Sequence, residues 1–474
     1  MEKHFPASKS IIIAISGLLL LRFFSLALYP LMDTTEARYG EMARIMLETQ
    51  NWVTPMFDYG VPFWGKPPMF TWLSALGYSV FGVNEFGARA PHLLVGAGIL
   101  LLIYPFATFT FKSARSGLFA CVILTSTAAF LIFSGSVMTD TALTFSITMA
   151  MVGFWMAWVT GEKKWGYLFF IGLAFGLLSK GPLAIVLVGI SLFLWLSINR
   201  QWSLLWGRLP WITGTLLMLI IAIPWYVLAE LRTPGFLDYF IVGEHIKRFL
   251  VSGWEGDLYG SAHTQPRGMI WLLGLIALMP WTPILMTQLG RIWRHASIQN
   301  DEYSGVLSYL ICWMLAPLLL FTMAGNILIS YVMPALPAAA LLITYLQLKR
   351  PIRKVWYGIG AITPALLILV VIVLNTSTVD KLSDKQLAAS WLNTPEHKQA
   401  QLYYVGEKSF SSQYYSRGIV ESITGNVQAW AGKQLQPFFF IQPKTSQALS
   451  VISKTWQCVL KSENTKRQLF YCSK

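Results

Sequence analysis

The chain has 474 residues, of which 55% are hydrophobic and only 12% are charged, and its formal net charge is +14. A soluble domain usually carries about 25% charged residues, so this composition excludes an ordinary soluble protein and predicts a polytopic membrane protein. Tryptophan, phenylalanine and tyrosine are abundant (20, 29 and 19 residues), as expected for aromatic belts at membrane interfaces.

A helix needs about 20 largely apolar residues to cross a bilayer. Eleven stretches approach this length: 11–31, 90–110, 117–135, 141–160, 166–179, 182–198, 210–229, 268–289, 305–323, 327–347 and 356–374. With the N-terminus in the cytoplasm, every short inside loop carries lysine or arginine, as the positive-inside rule requires. Most of the positive charge therefore reflects membrane topology and not nucleic-acid binding.

This topology sends several polar features to the opposite, outer face of the membrane. They are loops 32–89 and 230–267, the turns at Asp140, Lys180 and Asn326, and the segment from about 375 onward. Residues 375–474 are less apolar, and we expect them to form a small soluble α/β domain. Strands are predicted at 401–405 and 438–441, and a helix at 384–393.

Cys458 and Cys472 flank the polar turn 462–465 and could face each other across a hairpin. A periplasmic domain permits a disulfide. Spacing alone does not set the required geometry, so the pairing stays open at this point.

The first outward loop begins with the segment 33–39 (Asp-Thr-Thr-Glu-Ala-Arg-Tyr), directly after the first apolar stretch. Charges at the end of a span are costly unless they have a task. We expect Asp33 to act as a base or to orient an acceptor, and Glu36 to be structural, with the role of Arg38 open. The alternative is that the two carboxylates cap a helix predicted at 35–49.

Two lysines lie at predicted membrane interfaces. Lys66 is followed by two prolines, which favour an extended turn and would hold the lysine where a lipid phosphate can reach it. Lys180 lies in a Ser-Lys-Gly-Pro turn, where a phosphate contact is also an option. For both residues the alternative is an ordinary interfacial lysine that extends its ammonium toward water.

Asp140 lies in a very short turn between two spans and could cap the second span, contribute to chemistry, or both. The segment 244–249 (Glu-His-Ile-Lys-Arg-Phe) combines groups that suit an anion or metal site. His245 and Arg248 would share one helical face there. The alternative is a surface amphipathic helix. The sequence has no Walker loop, no dinucleotide-type glycine pattern and no HExxH motif.

Taken together, these segments resemble the GT-C glycosyltransferases that use polyprenyl-phosphate sugars, over roughly residues 20–350. The resemblance is to the bacterial 4-amino-4-deoxy-L-arabinose lipid A transferases and to the dolichyl-phosphate-mannose-protein mannosyltransferase family. It rests on an ordered set of segments: 33–39, 50–55, 66–68 (Lys-Pro-Pro), 179–182, 244–249 and 331–337 (Tyr-Val-Met-Pro-Ala-Leu-Pro).

The sequence departs from these enzymes at two positions. Gly65 stands where the lipid A transferases often have an acidic residue implicated in metal binding, and Ile327 stands where many relatives have a lysine. The cofactor is therefore unspecified, with a divalent metal left open.

The resemblance implies an all-α polytopic fold of about 11 spans, GT-C-like over residues 1–374, with the α/β domain at 375–474. It implies a bacterial inner-membrane enzyme that moves a sugar from undecaprenyl phosphate, by inverting displacement, to lipid A or lipopolysaccharide at the periplasmic face. The implied roles are catalysis by Asp33 and Asp140, donor-phosphate binding by Lys66, Arg248, His245 and Lys180, and support by Glu36, Arg38 and Glu244.

Two alternatives remain at this point. The acceptor could be a protein or another envelope glycan, or the chain could be a transporter or flippase of a lipid-linked sugar. Intramembrane charges usually mark a transport path. Here most ionisable residues fall in loops, with Arg22 the clear exception, and no paired half-sequences suggest inverted repeats. Both observations favour an enzyme.

Overall fold

The computed structural model describes residues 5–247, 256, 258–259, 265–294, 305–349, 351, 354–376 and 381–474. A helical bundle is followed by a five-stranded sheet. The bundle helices are α1 Ser8–Ser25, α2 Thr35–Thr49, α3 Met69–Phe81, α4 Glu85–Thr110, α5 Ala114–Thr125, α6 Ala128–Phe133, α7 Thr139–Thr160, α8 Lys163–Lys180, α9 Leu183–Asn199, α10 Trp202–Arg208, α11 Trp211–Arg232, α12 Phe236–Asp238, α13 Met269–Ala277, α14 Thr282–Arg294, α15 Val306–Phe321, α16 Leu336–Lys349 and α17 Ile362–Leu374.

Other regular segments complete the two parts of the chain. They are a π-helix at Tyr239–Lys247, 3₁₀ helices at Ile329–Ala335, Lys354–Ala361 and Pro395–Lys398, α18 Lys385–Leu392, α19 Phe410–Tyr415, α20 Val427–Lys433, α21 Ala448–Ile452, and strands β1 Met56–Asp58, β2 Val61–Pro62, β3 Gln401–Val405, β4 Glu421–Ile423, β5 Phe438–Pro443, β6 Gln457–Glu463 and β7 Arg467–Ser473.

Each of the eleven predicted spans coincides with helical structure. Among the described residues, five helices are both long and apolar enough to cross a membrane, and a bent pair would make six. Most of the other predicted spans are shorter apolar helices. The expectation of one continuous helix at 268–289 is wrong, because α13 and α14 meet at an angle of 109°. Pro280 lies between them, where a proline ring and its missing N–H interrupt a helix.

The centre of the bundle is formed by α7 and by the segment Ile329–Lys349. In their most apolar 18-residue stretches, 83% and 89% of the residues are buried, against 22% for α1. A helix that is apolar all round is expected to be surrounded by other helices, whereas α1 shows most of its surface to the outside. The segments that carry α7 and Tyr331 are therefore held firmly in place.

The helices α7 and α8 pack closely because small residues lie at their contact. A Cβ added to Gly172 would lie only 2.6 Å from the backbone nitrogen of Ala150, and one added to Gly153 would lie 2.6 Å from that of Phe169. Small residues allow two helices in a membrane to approach in this way. The two helices form a hairpin, which brings the first turn of α7 and the last residue of α8 to the same end of the bundle.

The C-terminal sheet has the strand order β4-β3-β5-β7-β6. Strand β3 is parallel to β4 and β5, and the β6–β7 hairpin is antiparallel. Residues alternate between two apolar layers, as the period of a strand requires. Leu402 and Phe439 pack with Trp391 in one layer, and Phe438 packs with Trp456 in the other.

The predicted strands and the helix near 384–393 are confirmed. Cys458 and Cys472 lie opposite each other on β6 and β7, with Cα atoms 4.1 Å apart, and form a disulfide.

A buried ion pair joins the start of the segment 32–89 to the bundle. Arg89 in α4 is fully buried, and its Nε and Nη2 donate to the two carboxylate oxygens of Glu36 at 3.0 and 2.7 Å. Arg89 Nη1 also donates to the carbonyl oxygens of Leu26 and Tyr29, just beyond α1. Glu36 accepts a further bond from the backbone nitrogen of Val137. One pair thus connects α2, α4, the end of α1 and the turn before α7.

The predicted helix at 35–49 is confirmed as α2. The alternative role of Glu36 as a capping residue is wrong, because its carboxylate is directed to Arg89 and the N-cap residue Thr34 makes no side-chain cap bond.

We predict that Glu36→Ala lowers the free energy of unfolding by about 3–5 kcal/mol, because it leaves the guanidinium of Arg89 buried without its counter-charge. Glu48→Ala on the same helix is the matched control. Glu48 is exposed, and its partner Arg44 keeps a second carboxylate, Glu41, so a change below about 1 kcal/mol is expected. Unfolding in detergent micelles measures both, and equal losses would contradict the prediction.

Candidate active site

A cavity of about 120 Å³ brings together four of the residues singled out in the sequence. They come from three separate parts of the chain: the segment before α3, the end of α8, and two neighbouring positions of the π-helix after α12. The lining residues are Lys66, Lys180, Leu183, Glu244, His245, Phe321, Ala324, Asn326 and Tyr331. Two ammonium groups and one carboxylate therefore meet in one partly enclosed space.

Lys66 precedes the two prolines that lead into α3, and it is held by Glu244. Its Nζ donates to Glu244 Oε2 at 2.7 Å and to the carbonyl oxygen of Gly65 at 2.6 Å. The Lys66 side chain is 18% exposed and that of Glu244 only 4%. The ammonium is thus fixed by a buried carboxylate while part of the lysine stays accessible.

Lys180 and Asp140 form a second buried pair at the end of the α7–α8 hairpin. Lys180 Nζ donates to Asp140 Oδ1 at 2.6 Å, and the same ammonium lies 4.5 Å from the ring centroid of Tyr331. The alternative role of Asp140 as the N-cap of α7 is wrong, since the N-cap residue is Met138 and Asp140 lies inside the first turn. Its carboxylate neutralises Lys180 instead.

Glu244 lies beside the position that Gly65 leaves without a side chain. A Cβ added to Gly65 would be 3.4 Å from Glu244 Oε1. Within the described ranges, no three His, Cys, Asp or Glu side chains lie close enough together to hold a metal ion. With both lysines present and Glu244 paired to Lys66, the donor set of this cavity suits an anion better than a cation.

His245 is oriented by two backbone carbonyls. Its Nδ1 lies 2.7 Å from the oxygen of Phe240, and its Nε2 lies 3.2 Å from the oxygen of Lys180. Burial lowers the pKa of His245, and the charge of Lys66 lowers it further, although both carbonyl contacts act in the opposite direction. A neutral imidazole is therefore favoured at pH 7, with its proton assigned to Nδ1 because the Phe240 oxygen is nearer.

Asp33 is held by the C-terminal domain and does not line the cavity. Its Oδ1 accepts from the backbone nitrogen of Ser411 at 2.8 Å, and its Oδ2 accepts from the Ser411 hydroxyl at 2.5 Å. Burial raises the pKa of Asp33, against the two bonds from Ser411, which lower it. Its alternative role as a cap of α2 is wrong, because both carboxylate oxygens face Ser411.

Arg38 does not line this cavity. Arg38 Nη1 donates to the carbonyl oxygen of Tyr259 at 2.6 Å, and its guanidinium lies 5.7 Å from the ring centroid of Phe410. Arg248 lies outside the described residues. Sequence reasoning gave no role to Tyr331, although this tyrosine stood in one of the segments that carried the family resemblance; its contact with Lys180 is long-range.

Comparison with known proteins supports the same family. The model of the dolichyl-phosphate-mannose-protein mannosyltransferase family matches residues 10–240. The undecaprenyl phosphate-alpha-4-amino-4-deoxy-L-arabinose arabinosyl transferase of Pseudomonas paraeruginosa is 30% identical over 346 residues, which cover 70% of this chain and 60% of that protein. The enzyme of the same name from Erwinia tasmaniensis is 31% identical over 332 residues, or 68% and 57%. The chain thus spans about 60% of the length of these relatives.

Solved structures show the fold. ArnT from Cupriavidus metallidurans bound to undecaprenyl phosphate matches with a TM-score of 0.80 over 98% of both chains, at 18% identity. The archaeal oligosaccharyltransferase AglB from Archaeoglobus fulgidus matches with a TM-score of 0.50 over 91% of this chain and 69% of that one, at 12% identity. The predicted resemblance is confirmed: the chain is similar in sequence to the arabinosyl transferases and to the protein mannosyltransferase family, and it has the fold of ArnT.

Proposed function

We propose that this protein transfers a sugar from an undecaprenyl-phosphate donor to an acceptor at the periplasmic face of a bacterial inner membrane, with lipid A as the leading acceptor. The names of the similar arabinosyl transferases and the undecaprenyl phosphate bound to the matching ArnT structure support the donor. A protein or another envelope glycan is the alternative acceptor.

The observation that carries this proposal is the presence of two lysines, each paired with a carboxylate, together with a second, apolar cavity lined by some of the same segments. The second cavity has a volume of about 320 Å³ and is lined almost entirely by apolar side chains, including Leu318 and Val332. Leu318 lies one turn from Phe321 on α15, and Val332 follows Tyr331, so the same two helical segments contribute to the lining of both cavities. A phosphate at the lysines with a prenyl chain along the apolar side matches the two ends of the proposed donor.

The lysines would act on the leaving group. An acceptor oxygen attacks the anomeric carbon, the bond from that carbon to the phosphate oxygen breaks, and the electron pair leaves with the polyprenyl phosphate. Lys66 and Lys180 compensate the negative charge that develops there, which is catalysis by preorganised electrostatics. Glu244 and Asp140 hold these ammonium groups in place, and His245 contributes a neutral hydrogen-bonding group. Attack from the opposite side inverts the anomeric carbon.

Asp33 would act on the acceptor. A hydroxyl acceptor must lose its proton, and a carboxylate within hydrogen-bonding reach can take it. A phosphate acceptor, as on lipid A, needs no base, and Asp33 would then orient it. The position of Asp33 outside the lining of the cavity supports a role separate from that of the donor-binding lysines.

The transporter alternative is less well supported by the surroundings of Arg22, the charge inside α1. This side chain is 1% exposed, and its guanidinium donates to the hydroxyls of Ser25 and Tyr29 and to the carbonyl oxygen of Ile132. A charge on a transport path lines a water-filled cavity. Arg22 instead joins α1 to α6, which supports a structural role.

The proposed function predicts a change in lipid A. Mass spectra of lipid A should lose a sugar-sized mass in cells that lack the gene and in cells that carry Asp33→Ala. Asp238→Ala, an exposed aspartate in α12, is the matched control and should leave the spectrum unchanged. Identical spectra from cells that express the protein and from cells that lack the gene would reject lipid A as the acceptor.

The role of the lysines predicts a loss of rate. Lys66→Met and Lys180→Met should each reduce sugar transfer about 10²-fold or more, because each removes positive charge beside the leaving phosphate. Lys163→Met, at the exposed first residue of α8, should have no effect.

Because Lys180→Met leaves Asp140 buried without its partner, the double variant Lys180→Met/Asp140→Asn separates folding from chemistry. We expect it to recover thermal stability but not activity. Recovery of activity together with stability would contradict the assigned role of Lys180.

The proposed topology predicts oxidation of Cys458 and Cys472. In a Cys121→Ala/Cys312→Ala background, a maleimide reagent should label the denatured protein only after reduction, because a periplasmic domain forms its disulfide in an oxidising compartment. Adding Cys458→Ser should leave one thiol that reacts without reduction. Labelling of both cysteines without a reductant would place the C-terminal domain in the cytoplasm.

A further inference from the structure

In the C-terminal domain, Ser411 holds the carboxylate of Asp33. Ser411 donates two hydrogen bonds, from its backbone nitrogen and from its hydroxyl, to different oxygens of the Asp33 carboxylate. The backbone nitrogen of Asp33 in turn donates to the carbonyl oxygen of Leu382 at 2.8 Å. The two residues of the Asp33–Ser411 pair are 378 positions apart in the chain. The orientation of this carboxylate is therefore set by a domain outside the helical bundle.

The direction of the Ser411 hydroxyl is fixed by its other partner. The backbone nitrogen of Asp384 donates to Ser411 Oγ at 2.9 Å, so the hydroxyl accepts there and has its single proton left for Asp33. The carboxylate of Asp384 is itself buried and paired with Arg467 at 2.6 Å, and it accepts from the Ser409 hydroxyl. Ser411 is thus held by a satisfied polar network of its own domain.

Contacts around this network hold the domain against the first outward loop. Tyr415 Oη donates to Glu85 Oε1 at 2.9 Å and accepts from the backbone nitrogen of Leu31. Lys408 and Gln413 both bind the carboxylate of Asp58, at 2.7 and 2.8 Å. The Asp33–Ser411 contact is therefore one of several polar contacts between the C-terminal domain and this loop.

We propose that Ser411 is a positioning residue for Asp33, so that the C-terminal domain completes the acceptor side of the active site. This inference rests on the proposed function, which gives Asp33 its role toward the acceptor. According to this inference, the C-terminal domain orients the Asp33 carboxylate and does not merely pack against the bundle.

The network also predicts the direction in which two substitutions change the pKa of Asp33. The groups that act electrostatically on Asp33 are Asp384, whose charge raises the pKa of Asp33, and Arg467, whose charge lowers it. Tyr404 also faces this group. Both bonds from Ser411 lower the pKa of Asp33. Ser411→Ala should therefore raise that pKa, whereas Asp384→Asn should lower it.

The test is the pH dependence of kcat in the full-length protein in nanodiscs. We expect Ser411→Ala to reduce kcat about tenfold at neutral pH, the loss of one hydrogen bond to a charged group, and to move the acid limb to higher pH. Asp384→Asn should move the acid limb to lower pH, and Ser411→Thr should restore the wild-type profile. Ser450→Ala, at an exposed serine of the same domain, is the control.

Unchanged kcat and an unchanged pH profile in Ser411→Ala would overturn the inference, as would shifts of the Ser411→Ala and Asp384→Asn profiles in the same direction.

Amide hydrogen exchange tests the contact without any transfer assay. Asp33→Ala should accelerate exchange of the Ser411 amide by at least tenfold, since this amide donates to Asp33. Unchanged exchange would overturn the inference while leaving the proposed function standing. Faster exchange in a protein that transfers no sugar would overturn the proposed function, and with it the catalytic part of the inference.

Discussion

The arrangement of this protein depends on the cost of burying charge in an apolar bundle. A buried charge is tolerated only with a partner of opposite sign or with several hydrogen bonds. The three pairs Lys66–Glu244, Lys180–Asp140 and Arg89–Glu36 satisfy this requirement with partners that are 178, 40 and 53 positions apart. Each pair therefore brings distant segments together, and the same contacts that remove the penalty also build the site.

The two lysine–carboxylate pairs give the cavity ammonium groups that can bind an anion, while each positive charge has a neighbouring carboxylate. An ammonium group has three donors, and each lysine uses one of them for its carboxylate partner. Lys66 uses a second donor for the carbonyl oxygen of Gly65, which leaves one donor on Lys66 and two on Lys180 that can turn to a phosphate without moving the lysine backbone. Held in this way, the ammonium groups need little reorganisation when charge develops on a leaving group, which is the condition for efficient electrostatic catalysis. Arg89, with its donors committed to Glu36 and to carbonyl oxygens, is by contrast purely structural.

Local patterns in the sequence were enough to predict the helices and strands and some residues of the candidate site. The helix at 35–49 and the strand at 401–405 follow from short-range periodicity, and Lys66, Lys180 and the segment 244–249 stand out as charges at span ends. The partners of these residues were not predictable, because nothing in one sequence links Glu36 to Arg89 or Asp33 to Ser411. The bend between α13 and α14 was missed because hydropathy reports the apolar length of a segment and not its direction.

The position of Glu244 offers a reason for the glycine at position 65. A Cβ at Gly65 would lie 2.8 Å from the ring of Phe63 and 3.4 Å from Glu244 Oε1, so a larger residue there would compete with the Glu244 carboxylate for space. An acidic side chain at 65 would add repulsion between like charges to this crowding. Glycine at 65 therefore leaves the Lys66–Glu244 pair undisturbed. The carboxylate that pairs with Lys66 comes from the π-helix and not from the preceding residue, so the lysine has its counter-charge without an acid at position 65.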